Sequence, residues 1–297
     1  MATAFCPAHI TGFFKAELDK KDSKQLGSLG AGFSIQKGVK TTVTIRNKTK
    51  HDISNFIIKV NGFESGNMRV SEVVLSKFST KGKFVDIIHE IDVPVGYGFG
   101  SSAAVALSLS IALNDALECK LSKIKVAQIA HDVEIECKTG LGDVLASYYG
   151  GFEIRDKPGA PGIGHVQKIT LNKISIIMIC FSPISTSKFI KERLPRINGL
   201  GGKMVNELLK SKNYEHFQEM SLEFAKYVDV MTPRMQKVVN ELSKNNIKCG
   251  IALFGETIFS MIPKENENKI LKILEKYSDG IIIKSELDNT GARILYN

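Results

Sequence analysis

The stretch Pro94-Val-Gly-Tyr-Gly-Phe-Gly-Ser-Ser-Ala-Ala104 leads from a strand-like segment into residues 101–118, which are small and apolar almost all round and read as a buried helix. Glycines at this junction let a ligand approach the backbone closely. Successive N–H groups, together with the positive end of the helix, can then hold phosphate oxygens without a lysine. Ser101 and Ser102 add hydroxyls that suit phosphate or a magnesium ion. The loop is not a Walker A loop, since no Gly-Lys-Ser/Thr follows, and its spacing is not GxGxxG. The plain alternative is a strand-to-helix turn capped by serine.

Downstream, residues 122–137 read as a second helix with Ser122 as N-cap. At 100° per residue, Glu134 falls at the edge of the inward stripe made by Val126, Ala130, Val133 and Cys137, whereas Asp132 and Glu136 point outward. A carboxylate placed there needs a cation or hydrogen bonds, and Mg²⁺ or a salt bridge at the rim of the core would each serve. Gly140 to Gly142 break the chain, and a short helix over 143–149 begins at Asp143, whose ordinary role would be an N-cap. A strand over 152–155 and a glycine- and proline-rich surface loop over 158–164 follow.

Upstream, residues 39–46 and 53–60 read as strands. After a strand near 166–171, the apolar run 174–181 opens a second unit. Its helical patterns cover 187–193, 202–211, 213–228 and 232–245, and its strands lie near 249–254, 257–262 and 280–284. The expectation is an α+β fold in two domains, 1–172 and 173–297.

The chain has 297 residues, 43% of them hydrophobic and 24% charged, which is enough for two cores. Its net charge of +9 is spread over many segments without interleaved aromatics, so nucleic acid is not expected as a partner, and a basic excess suits anionic ligands. Five scattered cysteines without a CxxC pair argue against disulfides and zinc. The longest apolar runs fall far short of the ~20 residues that cross a bilayer, and no signal peptide is visible, so a cytoplasmic chain without a membrane partner is expected.

The glycine loop resembles the second motif of the GHMP kinase superfamily, Pro-x-x-x-Gly-Leu-Gly-Ser-Ser-Ala, with Phe99 in place of the leucine. The resemblance implies ATP phosphates lying over 98–102, contacts from Pro94, Gly96, Gly98, Phe99, Gly100, Ser101, Ser102 and Ala103, and Mg²⁺ held by Ser102 and Glu134. It also assigns Asp143, eight residues before Gly151 of the Gly150-Gly151 pair, to the acceptor hydroxyl, as a base or as an orienting group.

The opening Phe5-Cys-Pro-Ala-His-Ile-Thr-Gly-Phe-Phe14 departs from the superfamily's first motif, with His9 where a basic residue is usual, and is similar to the archaeal pantoate kinases. Gly27-Ser-Leu-Gly-Ala-Gly-Phe33, Lys138-Thr-Gly-Leu-Gly-Asp-Val144 and Gly150-Gly-Phe-Glu-Ile-Arg155 share that similarity. Leu253-Phe-Gly-Glu-Thr-Ile-Phe259 and Asn289-Thr-Gly-Ala-Arg293 do so more loosely. The similarity implies a ribosomal-protein-like first domain, a ferredoxin-like second domain and a homodimer. It further implies phosphorylation of pantoate at its 4-hydroxyl for coenzyme A synthesis, with His9, Thr11, Ser28, His131, Arg155 and Thr186 at the substrate. Arg155 suits the pantoate carboxylate. A kinase for mevalonate or homoserine and a ligand sensor on the same fold are the alternatives.

Overall fold

Two strands of unusual length organise the first half of the chain: β1 (Ala2–Glu17) and β2 (Gly27–Asn47), paired antiparallel along their length. β1 is buried on both faces and so lacks the polar–apolar alternation that marks a strand in a sequence. A register shift at Gly12 re-aims the residues on either side of it. The computed structural model describes residues 1–63, 68–184 and 186–296, without the side chains of residues 186 and 187.

β3 (Phe56–Gly62), α1 (Arg69–Ser76) and β4 (Lys83–Ile91) form a crossover that places β3 parallel to β4. The glycine loop then enters α2 (Ser101–Ala116), followed by α3 (Lys123–Cys137) and α4 (Asp143–Tyr149). β5 (Phe152–Lys157) pairs with the Gly30–Phe33 stretch of β2, and β6 (His165–Ile169) with β5. Residues 158–164, expected as a surface loop, are instead partly core: Ala160 and Pro161 are buried, the Ala160 N–H donates to the Lys24 carbonyl at 2.8 Å, and Gln128 donates to the Pro161 carbonyl.

The second sheet begins with β7 (Ile174–Pro183). α5 (Thr186–Ser211), α6 (Tyr214–Tyr227) and α7 (Pro233–Lys244) come next, then β8 (Gly250–Ala252), β9 (Gly255–Pro263), α8 (Glu267–Leu274) and β10 (Ile281–Glu286), in strand order β10-β7-β9-β8. The expected helices 187–193 and 202–211 are one helix, α5, with Pro195 inside it. The glycines in this helix let α5 lie against β1. A side chain at Gly201 would overlap the Phe14 carbonyl, and the Asn198 amide exchanges two hydrogen bonds with the backbone of Ala16. Finally β11 (Arg293–Leu295) returns to β1, so the last strand belongs to the first sheet.

β7 shows how the halves join. Ile176, Met178 and Cys180 pack into the large core shared with the first sheet, while Ile177, Ile179 and Phe181 face a smaller core with α7 and α8. Between the sheets, Phe13, Phe33, Phe152, Phe217 and Phe259 make an aromatic cluster with ring centroids 5.0 to 6.2 Å apart. Among the described residues no helix is long and apolar enough to cross a membrane.

A polar chain threads the first core: Ser108 and Thr41 hydroxyls at 2.7 Å, Thr41 and His89 Nδ1 at 2.8 Å, and His89 Nε2 and Ser71 at 3.0 Å. Burial holds the His89 imidazole down at about 4 from its usual 6.5. The unfolded chain therefore takes up a proton at 6.5 that the folded chain refuses until about pH 4, so stability falls as pH drops through that window. Between pH 7.5 and 5 this group alone costs about 2 kcal/mol. In urea titrations, His89→Gln should lose about that much less stability than the parent over the same interval.

Candidate active site

The glycine loop turns into α2 at Gly100, whose φ of +56° suits glycine and where a β-carbon would approach the His9 carbonyl to 3.2 Å. The loop is held from three sides. His9 N–H donates to the Phe99 carbonyl (3.0 Å), Ile184 N–H to Gly96 (2.9 Å) and the Thr257 hydroxyl to Tyr97 (2.8 Å). Pro94, Phe99 and Ala103 are buried; Gly96, Gly98, Gly100 and Ser102 remain partly open, and Ser101 lies at the first turn of α2.

Glu134 projects from α3 and is 2% exposed. Its oxygens accept from the Thr139 hydroxyl (2.5 Å) and the Ser102 hydroxyl (3.3 Å). Burial pushes its carboxyl up to about 7; the two hydroxyls oppose this, and the charge of Asp143 adds to it. Gly140 lies between the acids. A β-carbon there would overlap Glu134 Oε2 and stand 3.2 Å from Asp143 Oδ2.

Asp143 is not an N-cap. Gly142 occupies that position, and the Asp143 carboxylate turns back to β1. Its Oδ1 lies 2.8 Å from His9 Nδ1 and 3.5 Å from the Thr11 hydroxyl. On its other side, His9 Nε2 is 3.0 Å from Glu153 Oε1, which Arg155 Nη1 also reaches at 2.5 Å. Glycines on β2 make room for this network, since side chains at Gly30 and Gly32 would collide with the guanidinium and the imidazole respectively. Burial opposes a charge on His9, but its hydrogen bonds to Asp143 and Glu153 outweigh that and raise its pKa. Burial likewise works against the Asp143 carboxylate, yet the bond from His9 holds its pKa below the usual value.

Three cavities border Thr139 or Gly140. One, of about 230 Å³, is lined by Val60, Met68, His89, Val95, Ser102 and Thr139 among others. A second, of about 10 Å³, is lined by Thr11, Ser28, Gly140, Asp143, Ile190 and Phe254. The largest of the three, of about 880 Å³, is lined by Lys138, Gly140, Leu141, Lys188 and Ile190 among others. His9, Thr11, Ser28, Asp143 and Arg155 are thus one group, with Ser102 and Glu134 beside it.

His131, three residues before Glu134 on α3, borders none of these three cavities, and its Nε2 lies 3.1 Å from the Ser23 carbonyl. Thr186 begins α5, and its side chain lies outside the described residues. Glu153 and Thr139 were missed. The signal for Glu153 was its spacing of two from Arg155 on a strand, which puts both charges on one face.

The family described as GHMP kinases N terminal domain matches residues 68–151. Over 277 residues the chain is 34% identical to the pantoate kinase of Methanocaldococcus jannaschii, covering 91% of this chain and 96% of that one. It is 29% identical over 275 residues to the pantoate kinase of Thermococcus kodakarensis, covering 91% of each. A solved phosphotransferase related to the CoA biosynthesis pathway superposes with a TM-score of 0.87 at 28% identity, over 98% of this chain and 97% of that one. Mevalonate diphosphate decarboxylase from Staphylococcus aureus, at 16% identity and a TM-score of 0.70 over 99% and 98%, shares the fold.

Proposed function

The chain belongs to the pantoate kinase family, and from that premise we propose that it transfers the γ-phosphoryl group of ATP to the 4-hydroxyl of (R)-pantoate, giving 4-phosphopantoate for coenzyme A synthesis. One observation carries the reading at the level of residues: Gly140 stands between the carboxylates of Glu134 and Asp143, next to Thr139, which borders the cavity beside Ser101 and Ser102. The apolar cavity adjoining Ser101 and Ser102 takes the nucleoside, with the phosphates along 98–102. The acceptor enters from the cavity of about 880 Å³, which shares Gly140, Leu141 and Ile190 with the small one, and reaches Ser28 and Thr11 with its hydroxyls and Arg155 with its carboxylate.

A divalent cation fits beside Glu134. That carboxyl is buried with only two hydroxyl donors, Gly140 leaves the space in front of it open, and a cation there displaces the proton that burial favours. Mg²⁺ there would be shared between Ser102, Glu134 and nucleotide phosphates. The ion, when bound, neutralises charge on the phosphates.

The protein's own part is alignment. Asp143 Oδ1 is engaged by His9, and Oδ2 faces Gly140, free to orient the acceptor hydroxyl and receive its proton as the phosphoryl group arrives. A division of the chain near residues 172 and 173 and a homodimer accompany this reading. ADP release measured with pantoate, mevalonate and homoserine in turn should show turnover with pantoate, and the product should gain the mass of one phosphate. Turnover of mevalonate with pantoate inert would refute the assignment.

A further inference from the structure

The geometry points to Glu153 as a positioning residue that, through His9, fixes the charge and direction of Asp143. Both ring nitrogens of His9 face carboxylate oxygens, Nδ1 at 2.8 Å from Asp143 and Nε2 at 3.0 Å from Glu153. A neutral imidazole carries one N–H, so one of these contacts would set a lone pair against a carboxylate oxygen. Two donated hydrogen bonds require the imidazolium. The groups facing it are Asp143 from α4, Glu153 and Arg155 from β5, and Thr11 from its own strand, while β2 presents only Gly32 and Glu134 lies beyond Asp143.

Within this cluster the charges cancel, Asp143 and Glu153 against His9 and Arg155; the last three side chains are buried and that of Asp143 is 15% exposed. Glu153 Oε2 has no hydrogen-bond partner among the described residues, so the compensation of that buried carboxylate runs through Oε1 to His9 and Arg155. Glu153 borders none of the three cavities. It keeps the proton on His9, and His9 in turn keeps Asp143 ionised, with Oδ1 occupied and Oδ2 turned to the acceptor.

The kinetic consequence rests on the kinase reading above, whereas the protonation of His9 does not, and the experiment separates the two. In Glu153→Gln, kcat with pantoate should fall about 10- to 100-fold with KM for ATP unchanged. The alkaline limb of its pH–rate profile should move about one unit or more toward acid as His9 gives up its proton earlier. In ¹⁵N-histidine NMR, with the resonances identified by their loss in His9→Gln, His9 should be doubly protonated at pH 7 in the parent and neutral in Glu153→Gln. An unmoved alkaline limb, or a His9 that stays doubly protonated in the variant, overturns the inference. If the variant fails to fold, the parent spectrum decides, and a singly protonated His9 at pH 7 overturns it. A parent inert toward pantoate but with doubly protonated His9 would overturn the substrate assignment and leave the Glu153 coupling standing.

Discussion

Asp143→Asn should lower kcat for pantoate phosphorylation by about 10²- to 10⁴-fold, the range for removing a group that accepts a proton in the transition state. The amide keeps the size and one oxygen of the carboxylate, so the acceptor cavity is preserved and KM for ATP should change little. What is lost is the negative charge that orients the hydroxyl, and with it half of the pairing around His9. Stopped-flow measurement of a single turnover distinguishes this from slowed product release, because the defect must appear in the first turnover. Single-turnover rates equal to the parent's would remove Asp143 from the chemistry.

Gly140→Ala should cost at least about 100-fold in kcat, the scale expected when reacting groups are displaced by about an ångström. The added methyl would overlap Glu134 Oε2 and crowd Asp143 Oδ2, between the two acids of the proposed transfer site. The backbone at Gly140 does not have a positive φ, so folding need not suffer. The melting temperature should therefore stay within a few degrees of the parent while activity collapses. Retention of activity would show that the transfer takes another path.

Much of this arrangement was legible in the sequence. The glycine loop, α2, α3 and α4 could be placed because each carries a local mark: a run of glycines, a serine cap, an all-round apolar face. Glu134 could be singled out by helical angle alone. β1 could not be seen, because a strand buried on both faces has no period-two pattern, and Pro7 and Gly12 interrupt it. α5 was split because glycines that serve close packing look the same as glycines that end helices.

Within the site, what could not be foreseen was which charged groups meet. His9, Asp143 and Glu153 lie on three separate elements: the pairing of β1 with β2 and of β2 with β5 brings Glu153 within 3.0 Å of His9, and the packing of α4 against β1 brings Asp143 within 2.8 Å of it. Nor could the sequence show that the His131 imidazole lies against the Ser23 carbonyl, in the turn before β2.

The aromatic cluster between the sheets bears on how the chain folds as it leaves the ribosome. Phe13 and Phe33 emerge early, yet their packing is completed by Phe217 on α6 and Phe259 on β9, near the end of the chain. Contacts so distant in sequence form late and slowly. Until α6 and β9 have been made, the rings of Phe13 and Phe33 lack these partners, and apolar surface left open in this way favours aggregation of the incomplete chain.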